Sequence, residues 1–326
     1  MSDNPNGVAL AATLAGVAIF KYTCFAWMSN KYRTRPYEKV GTISELYVFP
    51  TKSLGGLRVD SAECTPTGLT YQGVTDRHWA VAASNGVYVT QRQIPKMALI
   101  STSLQGDVML LDAPGMPTLN IPINPKQGPK TWVSKIKIKE EWSTSLDLGD
   151  EAATWMDKFL GKTGLRVHFS SPEMGKRDAS NVTKLWEHNA KKGDTLAFSD
   201  YCGYMLMSSA SLDELNKRLA EPVTMLNFRA NIVVDGSPAF DEDDWDEVKI
   251  RNATFRNIDA CTRCILVTVD PFKGVKSKDE EPLTTLKKFR LKPPYGPKPC
   301  LGIHLALDDK DTINVGDVIY AKRKRN

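Results

Sequence analysis

Residues 41–60 read GTISELYVFPTKSLGGLRVD. Ile43, Leu46 and Val48 precede the turn-forming stretch PTKSLGG, and Leu57 and Val59 follow it. Apolar residues spaced in this way and broken by Gly and Pro mark short half-buried strands. The pattern persists to about residue 145. SNG between WAVAA and VYVTQR is a hairpin turn signal, and GDVMLLDAPG and TLNIPI read as further strands. So dense a run of strands and turns excludes a helical bundle and leaves a β-barrel or sandwich.

The period changes in EAATWMDKFLG, where Trp155 and Phe159, and Met156 and Leu160, lie i,i+4 apart before Gly161. A second helix is predicted for SASLDELNKRLA, with Ser211 and Glu214 as a capping box and Leu212, Leu215 and Leu219 as its buried stripe. EPLTTLKKF reads as a short helix with Pro282 in its first turn. NFRANIVVD, WDEVKIRNATFRNI, CILVTVD, IHLAL and NVGDVIYAKR read as strands. The fold class is therefore β-rich α+β with a few peripheral helices. The expected organisation is an N-terminal anchor and basic linker over 1–40 and β-rich domains over 41–165 and 166–326.

Charge argues against a nucleic-acid partner. Residues 1–40 carry a net +3 and the tail Lys322, Arg323, Lys324, Arg325 adds +4, so a total of +5 leaves about −2 for residues 41–321. A nucleic-acid binder needs a basic body, not basic ends. The stretch Gly7–Met28 has one charge, Lys21, and aromatic residues at its C-terminal end. Its length suits a membrane-spanning helix, and the basic residues that follow keep the body on the cytosolic side.

Six cysteines are spread over 326 residues, and two of them form the segment IDACTRCILVTVDP. Cys261 and Cys264 have zinc-knuckle spacing, with Cys300 and His304 as conceivable partners, but 35 residues separate the two pairs and there is no second C-x-x-C. A thioredoxin-type motif opens a helix, whereas this one leads into an apparent strand. Two buried, inert cysteines are the plain alternative. Elsewhere, Lys52 lies in a TKSLGG loop where Gly55 and Gly56 allow close approach, and Arg77, Arg92 and Arg229 lie at loop–strand junctions. Each alone suits a surface ion pair; together they suit a phosphorylated ligand.

ISELYVFPTKSLGG, GVTDRHWAV, VTQRQIPKMALI, FSD, NFRANIVVDG, WDEVKI and CTRCILVTVDP occur in an order that resembles the MOSC-domain molybdenum enzymes, most closely their amidoxime-reducing group. The resemblance covers about residues 41–326. It implies a MOSC-type β-barrel domain preceded by a β-barrel-like N-terminal domain, and a molybdenum cofactor (Mo-molybdopterin) whose metal takes one protein ligand, here Cys264. It carries cofactor contacts onto Lys52, Ser53, Arg77, Arg229 and Asn231. Asp200 becomes an aspartate near the metal, acting as proton donor or water organiser. Tyr201 and Cys202 stand where relatives have small hydroxyl residues that hold the cofactor. Pyridoxal phosphate binding is a further association of such domains.

The implied reaction is reduction of N-hydroxylated compounds, amidoximes and hydroxylamines among them, by oxygen transfer to molybdenum. Electrons would come from cytochrome b5 and its NADH-dependent reductase. The implied location is the mitochondrial outer membrane, with the body in the cytosol. An alternative job for the same fold is sulfur carriage on a Cys264 persulfide.

Overall fold

The computed structural model describes residues 21–23, 35–184 and 186–325. The apolar stretch Gly7–Met28 falls almost wholly outside them, and among the described residues no helix is long and apolar enough to cross a membrane.

Seven strands close on themselves: β1 Glu38–Val48, β2 Tyr204–Ser208, β3 Ile232–Asp235, β4 Trp245–Ile250, β5 Ala253–Thr262, β6 Cys300–Asp309 and β7 Val318–Arg323. Their order round the barrel is β3-β2-β6-β5-β4-β7-β1, and β1 pairs with β3 to shut it. Strand direction cannot alternate all the way round an odd-numbered ring, so at least one pair must be parallel. Here that pair is β2 and β3. A parallel pair needs a crossover. It is supplied by the helices α2 (Ser209–Asn216) and α3 (Met225–Phe228).

Alternation along each strand sorts the side chains. One buried cluster draws on all seven strands and fills the barrel, including Leu46, Leu206, Ile232, Val248, Phe255, Leu305 and Ile319. A second takes the opposite faces, with Met205, Met207 and Val233 packing against Leu215, Phe228 and Leu286. Full burial of each large apolar side chain contributes about 1.5–3 kcal/mol.

Four of the remaining strands build a second β-rich layer. Trp79–Ala82, Arg166–Phe169, Glu141–Asp147 and Trp132–Ile138 form one antiparallel sheet. A third cluster joins Trp79, Val81, Ile121 and Phe169 to Ala152, Trp155, Met156 and Phe159 of α1 (Asp150–Leu160). Gly161 ends α1 at φ 64°, a left-handed cap that favours glycine. The β-rich barrel expected from the sequence is thus present. β1 and β7 pair directly although they lie at opposite ends of the described chain.

Three local expectations are corrected. α2 is capped by Ser208, whose hydroxyl accepts from the Ser211 N–H; the Ser211 hydroxyl donates instead to buried Glu242 at 2.8 Å. Arg229 is not at a strand start but closes α3. Finally, CILVTVD is not a strand. β5 ends at Thr262, and Ile265–Thr268 form one 3-10 turn with Cys264 at its N-terminal cap. The Asn227 amide of α3 donates to the Val267 and Val269 carbonyls, and this tertiary bonding overrides the β propensity of the run.

Two buried histidines make the fold acid-sensitive. His78 is held neutral by burial, its pKa pushed down to about 4, with Nδ1 donating to the Asp76 carbonyl at 3.2 Å. Burial also lowers His168, which bonds the Ser145 hydroxyl at 3.0 Å. A folded pKa below the unfolded value means this stability is present above pH 6.5 and is lost as pH falls towards 4. His78 alone accounts for about 3 kcal/mol over that window, and His168 adds in the same direction. Urea midpoints should fall steeply between pH 6.5 and 4.5, and His78→Gln should flatten the slope. A midpoint independent of pH in this window would contradict it.

Candidate active site

One end of the barrel gathers the site. β1 leaves there, and β2 and β3 enter. The segment after β1 runs beside residues 77–79. The Arg77 N–H donates to the Phe49 carbonyl at 2.8 Å, and the Lys52 N–H to the Trp79 carbonyl at 2.8 Å. These main-chain bonds bring Lys52 and Arg77 together across 25 residues of sequence.

Asp76, fully buried, organises the floor. Its carboxylate accepts from the Phe49 N–H at 2.8 Å, the Asn231 amide at 2.9 Å, and the Arg77 guanidinium. Asn231 also accepts from the Met205 N–H at 3.1 Å and Arg77 at 3.4 Å, and donates to the Tyr47 carbonyl at 3.1 Å. Its side chain is engaged with protein groups on both its oxygen and its nitrogen, which makes it a brace beneath the cradle. Phe49 carries the guanidinium groups of Arg229 and Arg77, at 4.2 and 5.4 Å from its ring centre. A Cβ on Gly56 would lie 2.5 Å from that ring, and one on Gly55 would lie 2.8 Å from the Ile100 carbonyl. The two glycines therefore serve packing within the protein.

Above this floor sits a surplus of positive charge. Arg229 donates through Nη1 to the Leu54 carbonyl at 2.6 Å, but its buried Nη2 has no partner. Burial, then the charge of Arg77, pushes its pKa down to about 9. Lys52 is buried, with Nζ donating to the Phe198 carbonyl at 2.9 Å and to Asp200 at 2.7 Å. Burial holds its ammonium down at about 8 in spite of Asp200. Thr51 Oγ1 and Ser199 Oγ, beside Lys52 and Asp200 in sequence, are also buried without partners. Ser53, Arg77, Arg229 and Lys139 are non-glycine residues with φ between 52° and 67°. Such conformations persist where surrounding bonds enforce them, and they concentrate at functional sites.

Asp200 is reachable by solvent, and Lys139 lies 3.8 Å from its Oδ2. Burial raises its pKa, but Lys52, Lys139 and Arg92 outweigh that and hold it well below the usual carboxylate range. It is therefore held as an acceptor at neutral pH. Arg92 donates to the Tyr88 hydroxyl at 2.8 Å. Burial disfavours its charge, yet Tyr88 and Asp200, with a smaller contribution from Cys264, raise its pKa.

The cysteines divide as the strand end dictates. Cys261 is buried in the layer outside the barrel, and burial raises its pKa. Cys264 is exposed. Between them Arg263 is buried and pinned, donating to the Leu301 carbonyl at 2.5 Å and the Phe228 carbonyl at 3.1 Å. That anchor fixes where Cys264 emerges. Cys202 donates to the Tyr204 carbonyl at 2.9 Å, and burial pushes its thiol up to about 12. Tyr201 packs edge-on between His188 and His304, and its buried hydroxyl has no partner.

Among the described residues, no three His, Cys, Asp or Glu side chains are grouped to hold a metal. A metal at Cys264 must then arrive with donors of its own. The unpartnered Arg229 nitrogen and the depressed Lys52 and Arg229 pKa values fit a group that brings negative charge. Sequence reasoning missed Asp76, Tyr88 and Lys139. Asp76 adjoins Arg77 in TDRHW, but its reach to residues 49 and 231 leaves no local trace.

Comparison with known proteins agrees with this arrangement. The MOSC N-terminal beta barrel domain family matches residues 40–163, and the MOSC domain family matches residues 193–320. Mitochondrial amidoxime-reducing component 1 of Mus musculus is 36% identical over 322 residues, covering 97% of this chain and 93% of its own. The Homo sapiens component 1 is 37% identical, covering 90% and 86%. Component 2 of Bos taurus is 38% identical, covering 88% and 85%. With both domains matched in order and more than a third of residues shared along nearly its whole length, the chain belongs to the MOSC-domain family of mitochondrial amidoxime-reducing components.

Proposed function

We propose that this chain is a molybdenum cofactor-dependent reductase of N-hydroxylated compounds. The observation that carries the reading is Arg229: a buried guanidinium, one nitrogen unpartnered, beside Arg77, with Arg263 bonded to the neighbouring Phe228 carbonyl and followed by one exposed cysteine. An anionic terminal phosphate on Arg229, Arg77, Lys52 and the Ser53 loop would supply the missing partners and restore the depressed pKa values. Cys264 would be the one protein ligand, a soft thiolate suited to a redox metal. When bound, the cofactor supplies the two-electron redox centre.

The chain's own residues bind, orient and hold protons. An amidoxime takes up two electrons and two protons; its N–O bond breaks, leaving an amidine and water. Asp200, kept ionised, accepts a hydrogen bond from the substrate N–OH. Lys52 and Lys139 hold protons beside it. Tyr201 and Cys202 form the wall behind Asp200, and in this reading Asn231 acts through Arg77 rather than on the cofactor.

The names of the relatives support amidoxime reduction and a mitochondrial location. In this proposal cytochrome b5 and its NADH-dependent reductase deliver electrons, and the body faces the cytosol from the outer membrane. Sulfur carriage on Cys264 would also use an exposed thiol, but it leaves the cation cradle without a purpose. Metal analysis decides. The purified full chain should carry about one molybdenum per molecule and convert an aromatic amidoxime to its amidine with a chemical reductant. Protein lacking molybdenum and turnover alike would end the proposal.

A further inference from the structure

The hairpin of Trp132–Ile138 and Glu141–Asp147 leaves the tip half of one face exposed, while Leu146 of the same face is buried in the α1 cluster near its base. In register, Lys137 faces Trp142, Lys135 faces Thr144 and Val133 faces Leu146. Alternation turns Ile136 and Ile138 inward, both fully buried. The opposite face carries Val133, Lys135, Lys137 and Trp142. Trp142 is 54% exposed and Val133 50%. Val87, also exposed, bridges to Lys137, and Gly86 lies against the Trp142 ring. Lys137 has only the exposed Glu140 as ion-pair partner, and Lys135 has none among the described residues.

The position of this face gives it meaning. The hairpin tip carries Lys139 at φ 55°, and Lys139 reaches Asp200. A stripe of cations and apolar side chains thus leads from the surface to the rim of the site. The reaction proposed above consumes two electrons per turnover, and they must enter near Cys264.

We propose that the outer face of this hairpin docks an acidic electron-carrier protein, an inference that rests on the reductase reading. Carrier carboxylates meet Lys135 and Lys137, and an apolar patch covers Trp142 and Val87. Exposed tryptophan flanked by charge is the make-up of an interface anchor with a polar rim. Complementary charge raises the rate of encounter and makes it salt-sensitive. A one-electron carrier docks twice per turnover and leaves oxidised by one electron each time. The two electrons, with two protons, convert N–OH to N–H and water.

The test compares two electron sources on the same full-chain holoprotein. Cytochrome b5, kept reduced by its NADH-dependent reductase, serves as the carrier; reduced viologen serves as a small donor that needs no docking. For Lys135→Glu/Lys137→Glu, carrier-supported kcat/KM should fall about ten-fold or more at low salt, and raising salt should no longer slow it. Trp142→Ala should weaken carrier-supported turnover at every salt concentration. Viologen-supported turnover should be unchanged in both. Equal loss with both donors, or no loss with the carrier, overturns the proposal. So does a charge-reversal defect seen only in binding to anionic phospholipid vesicles, which would make the face a membrane contact. A wild-type protein that reduces no amidoxime with viologen sinks the reductase reading itself, a different result.

Discussion

Cys264→Ala is expected to lower amidoxime reduction by about 100-fold or more, while Cys261→Ala leaves most of it. Loss of even an outer-shell partner costs a metal site about 10–100-fold, and Cys264 is the only protein ligand the proposal allows. The two thiols differ in environment, not in spacing. Cys261 faces a layer of Met205, Met207, Phe228 and Leu301, whereas Cys264 stands exposed at the start of a 3-10 turn. Molybdenum measured on each purified variant separates loss of ligand from loss of fold. Equal molybdenum and equal activity in Cys264→Ala would remove the assignment.

The second large effect is on stability. Asp76→Ala should cost about 3–5 kcal/mol, because it strands the Phe49 N–H, the Asn231 amide and the buried Arg77 charge at once. For a chain of 326 residues that is a fall in Tm of about 5 °C. Asp76→Asn should regain only part of the loss, since a side-chain oxygen still accepts from Phe49 but Arg77 is left without its counter-charge. Calorimetry on the two variants checks this. An alanine variant melting within about 2 °C of wild type would show that the floor is not held through Asp76.

What was legible in the sequence follows from how far each signal travels along the chain. Period-two alternation is local, so the β-rich fold was visible, and α1 showed through its i,i+4 pairs and Gly161. Ring closure was not visible, because the pairing of β1 with β3 and β7 depends on contacts across the whole chain. The site divided in the same way. Lys52, Arg77 and Arg229 stood out as cations at junctions, and the structure brings all three to one end of the barrel. The strand expected after Cys264 failed because Ile265–Thr268 carry β propensity, while Asn227, 40 residues away, bonds the backbone of that turn. Asp76 was hidden for a similar reason: its partners are at positions 49 and 231.

The closing of the barrel also bears on how this protein is made. β1 is among the first described segments to leave the ribosome, and one of its two barrel neighbours, β7, is the last. Contacts so distant in sequence form slowly, since the chain between them must be ordered first. The cradle draws on residues 52, 77, 200, 229 and 264, and its floor hangs from β1 and β3. The set of cradle residues is therefore assembled only after residue 264 has been made, and the barrel is shut only after β7. Until β7 has been made, β1 presents an open edge that a chaperone has reason to cover.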